Sequence, residues 1–371
     1  MRFCVIGAGS GGRAFSAYVS SKGHKVNLYN RSYTRIYEIW KSGGIHAEGK
    51  LEGFFPLEMV TQDLGLAVKK ADVIMIVTPA FSHKEIAQKM APYLQDKQII
   101  ILNPGRTFGS IEFRREIEKI RSEITIYIGE TQTLLFTCRA LSGDGVRILK
   151  IKESVDFGVF PEEAINIVSE QILDVFPQLN PKENYLDVTL NNIGMLLHPA
   201  ISLFNAGSID GGRSMKFYSD GASPRVCQVL ENIEFEINEI FERLGLKRFH
   251  FCKWAKDCYK IEANNIYKAI QQISPYKTIY APDNLLTRYF TEDVPTGLVP
   301  ISSLAKYLNI STPTIDSVIH LSSIMCGKDF SSQGRTLEDL HIEELLLKKL
   351  EEVSASEQIK AKDTALKIQW H

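Results

Sequence analysis

The sequence predicts an α/β fold: an N-terminal doubly wound sheet of the Rossmann type over residues 1–183, followed by a mostly α-helical domain over residues 184–371. Three observations predict it. The chain opens on a strand, a glycine turn and a helix. Apolar runs of strand length then alternate with helical patterns up to about Val175, and from Tyr185 onward the strand signals give way to helical periodicity. At 371 residues, 44% hydrophobic and 23% charged, the chain has the length and composition of two domains with full-sized cores.

The first element is the short apolar run Arg2–Ile6, which passes into Gly7, Gly9 and Gly12 in G-x-G-x-x-G spacing and then into a helical pattern at residues 13–21. In such a turn the first glycine allows the tight bend, the second lets a pyrophosphate approach the backbone, and the third lets helix and strand pack closely. Free N–H groups and the helix dipole attract phosphate there, so Gly7, Gly9, Ser10 and Gly12 are expected to bind a dinucleotide. The plainer alternative is a merely structural glycine turn. A strand before it, a helix after it and a second strand at residues 25–30 argue for binding.

That second strand carries the cofactor preference. NAD sites usually place an Asp or Glu about 20 residues beyond the glycines to bond the ribose 2′-OH. Here Val26 to Ser32 reads Val-Asn-Leu-Tyr-Asn-Arg-Ser, without a carboxylate. Arg31 offers a fixed charge and Ser32 a hydroxyl to a 2′-phosphate, and Asn30 does not repel it. NADP is therefore favoured. NAD is the alternative, with Arg31 a solvated charge or stacked on adenine.

A helix at residues 33–41 follows, then extended stretches at 45–48 and 54–60, among which a third parallel strand is expected. Asp63 can start a helix to residue 70. Residues 72–78 are too continuously apolar for anything but a strand buried on both faces, and Pro79 stops it. The cycle repeats with a helix at 82–94, a strand at 98–103, the Pro104-Gly105 turn, a helix to residue 120 and a strand at 124–128. Such sheets bind ligands at the carboxyl ends of their strands. Thr78-Pro79-Ala80, Asn103-Pro104-Gly105 and Gly129-Glu130-Thr131-Gln132-Thr133 are accordingly expected to ring a nicotinamide, unless Pro and Gly only punctuate loops there. Residues 134–151 read as further strand folded on a Gly143-Asp144-Gly145 turn, and Pro161 opens a helix to Val175, where the sheet is expected to end. Helices at 226–244 and 337–353 belong to the second domain, and the polar tail after Val353 is expected to pack loosely.

A net charge of −1 gives no electrostatic reason for nucleic acid or an anionic membrane as a partner. No signal peptide precedes the first strand and no apolar stretch approaches a membrane span, so a cytoplasmic protein is expected. Cys4, Cys138, Cys227, Cys252, Cys258 and Cys326 form no C-x-x-C pair, and neither a disulfide nor a metal site is expected. A monomer or a homodimer is expected.

A nicotinamide carries only hydride, so proton chemistry must come from the second domain. Asn191-Asn192-Ile-Gly-Met-Leu-Leu-His198-Pro199 has helical spacing, and the residue before a proline is pushed out of the α region, so the helix is expected to end or kink at His198. A helix C-terminus favours a cation, which would suit His198 to act as an acid. Arg288-Tyr-Phe-Thr-Glu292-Asp293-Val-Pro295-Thr-Gly297 reads as a loop holding two carboxylates in an apolar setting.

Gly7-x-Gly9-x-x-Gly12, Thr78-Pro79-Ala, Asn103-Pro104-Gly105, Glu130-Thr-x-Thr133, Cys138-Arg139, Asn192 with His198-Pro199, Tyr218-x-x-Gly221, Glu292-Asp293-Val-Pro295-x-Gly297 and Gly334-Arg335-Thr336-Leu, in this order, resemble the octopine/nopaline (opine) dehydrogenase family. The resemblance spans both domains. It implies an NADH- or NADPH-dependent condensation of a 2-keto acid, often pyruvate, with the amino group of an amino acid, giving an N-(1-carboxyalkyl) amino acid. It also implies His198 as general acid/base with Asp293 as its orienting partner. Without the resemblance, a buried histidine satisfied by a backbone carbonyl and an aspartate capping a turn would be the simpler reading. Asn30-Arg31-Ser32 departs from NAD-using members, which touches the cofactor and not the reaction.

Two substrate carboxylates call for bidentate arginines, and Arg139, Arg225, Arg288 and Arg335 are candidates, although each singly has the pattern of a surface ion pair. Asn103, Thr131, Gln132 and Thr133 could bond the keto acid. Two other readings compete: an NADP-dependent reductase of a simple ketone, 2-hydroxy acid or glycerol phosphate, and a non-catalytic NADPH sensor. The reductases of this architecture use a lysine on the helix entering the second domain. No lysine stands between Tyr185 and Gly207.

Overall fold

The computed structural model describes residues 1–368, and of residues 356–368 the backbone alone. The strands are β1 (Arg2–Ile6), β2 (Lys25–Tyr29), β3 (Gly44–Gly49), β4 (Gly53–Pro56), β5 (Met59–Thr61), β6 (Val73–Ile76), β7 (Ile99–Leu102), β8 (Tyr127–Thr131), β9 (Phe136–Ala140), β10 (Gly145–Ile151), β11 (Val155–Phe160) and β12 (Leu179–Pro181). Eight of them form the main sheet in the order β12-β11-β8-β7-β6-β1-β2-β5. From β8 to β5 every pairing is parallel. β6 and β7 read Val-Ile-Met-Ile and Ile-Ile-Ile-Leu and are buried throughout, as strands covered by helices on both faces must be. The covering helices are α1 (Ser10–Ser21), α2 (Tyr37–Ser42), α3 (Leu64–Val68), α4 (His83–Met90), α5 (Gly109–Glu118) and α6 (Ile165–Ile172). The order reverses at β1, which lies between β2 and β6, so the strand carrying the glycine turn stands at the switch point where such sheets bind ligands.

The expected third parallel strand is β5, paired with β2. Residues 33–41 split into a 3₁₀ turn at Tyr33–Arg35 and α2. Asp63 caps α3, accepting from the Leu66 N–H at 2.9 Å. The hairpin at Gly143 forms as expected, but β9 and β10 join β3 and β4 in a separate sheet of order β4-β3-β10-β9. Buried Arg13 of α1 pins that hairpin by donating to the carbonyls of Leu141, Gly143 and Gly145 at 3.2, 2.8 and 3.0 Å.

The main sheet does not end at residue 175. β11 pairs antiparallel with β8, and β12 pairs parallel with β11. Together they cover an edge that β8 would otherwise expose, and Pro181 is tolerated because β12 is the new edge.

From Tyr185 the chain is helical, around one core that also takes in Phe108 and Ile111 from the start of α5. α7 (Leu186–Thr189) leads into α8 (Ile193–Phe204), which runs straight through Pro199 where the sequence predicts an end or kink at His198. Every residue from Ile193 to Leu203 is buried. Packing on all sides therefore holds the helix, and the proline removes only the bond to the Met195 carbonyl. The helix expected at 226–244 spans Pro224–Arg243. That expected at 337–353 breaks at His341, in the left-handed region at φ 46°, into Leu337–Leu340 and Glu343–Ile368. The looseness expected of the tail falls on residues outside the described side chains. Among the described residues, no helix is long and apolar enough to cross a membrane, the six cysteines are unpaired, and no group of His, Cys, Asp and Glu could hold a metal ion.

Candidate active site

His198 lies midway along α8, so no helix terminus acts on it; a carboxylate does instead. Its Nδ1 is 2.7 Å from Asp293 Oδ2. Glu292 and Asp293 are not in a loop: they join the helix Arg288–Thr291 to a single π-helical turn at Val294–Leu298, continued by the helix Val299–Tyr307. Pro295 and Pro300 lack the N–H groups a regular helix would use, and the widened turn closes with the Leu298 N–H donating to the Asp293 carbonyl at 3.2 Å. The local pattern of charges and prolines reads as a loop because it does not show the core this segment packs into.

Asp293 is fully buried, and its second oxygen is 3.1 Å from Nη1 of Arg106. Arg106 follows the Pro104-Gly105 turn with φ 64°, and also reaches Glu292 Oε1 at 3.4 Å and Asn192 Oδ1 at 3.3 Å. Glu292 Oε1 accepts in addition from the Ala80 N–H at 2.8 Å, which ties this helix to the Thr78-Pro79-Ala80 loop. Asn192 caps α8 through the N–H groups of Gly194 and Met195 at 3.1 and 3.4 Å. Gly194 is where these groups meet: a Cβ there would collide with Arg106 Nη1 and stand 2.5 Å from Asp293 Oδ1. Burial alone would raise the Asp293 carboxyl, but the charges of Arg106 and His198 outweigh it and hold the group below the usual carboxylate range.

With Nδ1–H donated to this carboxylate, Nε2 is the acceptor, and the Tyr218 hydroxyl lies 2.8 Å from it. Burial keeps the Tyr218 phenol well above its ordinary value, so it is a neutral donor. The imidazole stacks on Tyr289 at 4.4 Å between centroids, and Tyr218 on Tyr276 at 3.8 Å.

At the glycine turn, Gly7 adopts φ 108°, and a Cβ on it would stand 2.7 Å from the Val77 carbonyl oxygen. A Cβ on Gly12 would collide with the Gly7 carbonyl, whereas one on Gly9 would meet nothing within 4 Å. The second glycine therefore faces open space beside the first turn of α1, whose N–H groups have no intrahelical acceptor. This fits a pyrophosphate. Ser10 Oγ accepts from the Ala140 N–H at 2.9 Å and keeps its own proton to donate. Asn30 braces the turn, its Oδ1 accepting from the Ala8 N–H at 3.1 Å and its Nδ2 donating to the Ser32 carbonyl at 3.0 Å. The Arg31 guanidinium is exposed, 3.8 Å from Glu85 Oε2, and Ser32 Oγ lies 2.9 Å from Thr34 Oγ1. Thr78 bonds Ser82 Oγ at 2.9 Å, and Pro79 stands exposed beside it.

The residues proposed for substrate separate into groups. Asn103 and Thr131 are buried at strand ends; Asn103 Nδ2 donates to the Ile101 carbonyl at 2.8 Å while its Oδ1 has no partner. Gln132 is buried, and Thr133 Oγ1 accepts from Lys152 at 2.9 Å. Glu130 turns inward: its Oε2 accepts from Ser110 N–H, Ser110 Oγ and Tyr185 at 2.7, 2.8 and 3.0 Å, and burial raises its carboxyl. Arg139 and Arg288 are exposed, form no ion pair among the described residues, and both act on the Tyr289 phenol. Arg225 bonds Gln228 on its own helix.

Arg335 is a correction. It is buried, with Nη1 on the carbonyls of Thr107 and Gly105 at 2.6 and 3.4 Å and Nη2 on Glu112 at 2.7 Å, so these two groups hold the loop that carries Arg106, while Nε has no partner. Sequence reasoning missed Arg106 and Tyr289 and assigned Tyr218 and Glu292 no role. The only sequence signal for Arg106 is an arginine directly after a turn at the carboxyl end of a central strand.

Residues 181–326 match a family model described as NAD/NADP octopine/nopaline dehydrogenase, alpha-helical domain, and residues 2–127 match one described as NAD-dependent glycerol-3-phosphate dehydrogenase N-terminus. The chain is 42% identical over 340 residues to an opine dehydrogenase of Arthrobacter sp. (strain 1C), covering 91% of this chain and 94% of that one. Octopine dehydrogenase solved with NADH and L-arginine superposes with a TM-score of 0.73 at 21% identity, covering 91% of this chain and 94% of that one. NADP⁺-bound yersinopine dehydrogenase gives 0.74 at 14% identity, covering 95% and 99%. With these relatives along nearly its whole length, the chain belongs to the octopine/nopaline (opine) dehydrogenase family and is an NAD(P)-dependent oxidoreductase.

Proposed function

We propose that this enzyme condenses a 2-keto acid, with pyruvate as the first choice, with the amino group of an amino acid, giving an N-(1-carboxyalkyl) amino acid at the expense of NADPH. The observation that carries the reading is the buried Asp293–His198 pair with Nε2 turned toward the Tyr218 hydroxyl. Asp293, ionised beside Arg106, fixes the tautomer in which Nε2 is basic and stabilises the cation when that nitrogen is protonated. Nε2 can then take a proton from the incoming amine and return it to the departing carbonyl oxygen. A bound dinucleotide, held by Gly7, Gly9, Ser10 and Gly12, would supply hydride. Arg139 and Arg288, exposed and unpaired among the described residues, are suited to the two carboxylates.

NADP is favoured because Asn30 is occupied with the glycine turn and no carboxylate takes its place, while Arg31 and Ser32 remain for a 2′-phosphate. That octopine dehydrogenase was solved with NADH, L-arginine and pyruvate supports the substrate classes. We place the domain division between residues 183 and 184, since β12 ends at Pro181 and Tyr185 is buried in the helical core. The test is NADPH oxidation with pyruvate, with and without a mixture of amino acids. Dependence on the amino acids is the expected result; equal turnover on pyruvate alone would select a ketone reductase.

A further inference from the structure

Lys152, directly after β10, is buried to all but 5% of its surface between β9 and the helix Phe251–Tyr259. Its Nζ donates to Thr133 Oγ1 at 2.9 Å and to the Leu134 carbonyl at 2.7 Å, and stands 5.7 Å from the centre of the Trp254 ring. Both acceptors are neutral, and the third N–H of the ammonium is left over. No carboxylate faces it among the described residues: the ionisable neighbours are Cys258, Cys138 and Arg106. A buried cation without a counter-charge is costly, and natural chains normally pair it. The same neighbourhood holds a second idle donor, Trp254 Nε1. A buried ammonium whose two acceptors are both neutral, with an idle N–H beside it, describes a place for an anion.

We propose that the missing counter-charge is the substrate's: the Lys152 ammonium receives the carboxylate of the 2-keto acid, beside Thr133 at the carboxyl end of the main sheet. The inference rests on the keto-acid condensation proposed above. It accounts for a lysine that the acid–base pair does not use, and it places the keto acid on the sheet side, within the field of the Arg106 that holds Asp293. Burial pushes the Lys152 ammonium down to about 8, so the free enzyme would lose this receptor as pH rises through that value. None of the facing groups competes there: the Cys138 and Cys258 thiols lie at about 12 and about 11, Arg106 is raised by its carboxylates, and Thr133, Leu134 and Trp254 do not titrate.

The experiment compares wild type with Lys152→Met and Lys152→Arg, varying pyruvate at saturating amino acid and then the reverse. Loss of a charge-assisted hydrogen bond should raise the pyruvate KM of Lys152→Met by roughly 10- to 100-fold and leave amino-acid KM and NADPH binding near wild type. kcat/KM for pyruvate should fall above about pH 8 in wild type. That fall should be absent in Lys152→Arg, which retains affinity. A pyruvate KM of Lys152→Met within about twofold of wild type, a defect confined to the amino acid, or an unchanged pH profile in Lys152→Arg would each overturn the assignment. If wild type shows no amino-acid-dependent turnover, the condensation reading fails separately. Calorimetric titration of pyruvate into the NADPH-loaded proteins then decides on Lys152 alone, with binding by wild type and not by Lys152→Met supporting it, and equal binding or none by both refuting it. A melting profile checks that Lys152→Met is folded, since Thr133 Oγ1 and the Leu134 carbonyl lose their donor.

Discussion

Nδ1 of His198 and Oδ2 of Asp293 stand 2.7 Å apart although 95 residues separate them, one on a continuous buried helix and the other at the entry to a π-helical turn. The pair is rigid because both segments are buried and because Arg106 and Asn192 anchor its carboxylate end. His198→Ala should lower turnover by about 10² to 10⁴, the usual contribution of a general acid/base, with NADPH affinity unchanged. Asp293→Asn should lower kcat and leave the protein folded, because Arg106 keeps Glu292 as a counter-charge. Near-normal kcat in His198→Ala, measured by NADPH consumption with pyruvate and the preferred amino acid, would remove the histidine from the mechanism.

Arg106 is the cation that allows two adjacent carboxylates, Glu292 and Asp293, to be buried side by side. Arg106→Met should therefore destabilise the enzyme by about 3–5 kcal/mol at neutral pH, because it leaves buried charge uncompensated. The pH dependence has a definite sign. In wild type the Asp293 carboxyl is held low, so its stabilising contribution is present above the usual carboxylate range and is lost as pH falls through its folded value. In the variant burial is left unopposed by Arg106, the carboxyl rises, and the deficit relative to wild type should shrink as pH is lowered. Chemical denaturation at pH 7 and pH 5 measures this; a deficit that grows toward pH 5 would contradict the assignment.

What could be read from the sequence depended on how local its physical cause is. β6 and β7 are legible because a strand buried on both faces must be apolar throughout, and the glycine turn because Gly7 needs its positive φ and Gly12 answers a clash with the Gly7 carbonyl five residues earlier. The second sheet was not, since β3 finds its parallel partner β10 about a hundred residues later, and nothing in the Ile45 segment marks that pairing. His198-Pro199 and Glu292-Asp293 misled for one reason: proline and charge are read as helix breakers, while here a buried helix and a π-turn absorb them through tertiary packing. The four candidate arginines were indistinguishable in sequence, because what separates Arg335 from Arg288 is the presence of Thr107, Gly105 and Glu112 around one of them.

Arg31 decides the cofactor test. Its guanidinium is exposed and only 3.8 Å from Glu85, a loose pair that a 2′-phosphate could displace. Arg31→Asp should weaken NADPH binding far more than NADH binding, since an attraction to the phosphate becomes a repulsion while everything else at the site is shared. Fluorescence titration of both cofactors against wild type and variant reads the ratio. Equal losses, or a wild-type preference for NADH, would return the enzyme to the NAD-using members.

Arg335 separates a structural arginine from a substrate-binding one. Its two amino groups hold the Gly105 and Thr107 carbonyls and Glu112, and the loop thus fixed delivers Arg106 to Asp293. Arg335→Met should lower stability by about 1–3 kcal/mol, the range for leaving buried partners of a charged donor unsatisfied. Arg335→Lys should recover only part of this, because one ammonium cannot span acceptors on two sides of a planar fork. Where the variant is still folded, KM for pyruvate and for the amino acid should stay near wild type while kcat drops, as Arg106 and with it Asp293 lose their fixed position. A large rise in either KM at unchanged stability would instead make Arg335 a carboxylate ligand, and would require the loop carrying Arg106 to rearrange when substrate binds.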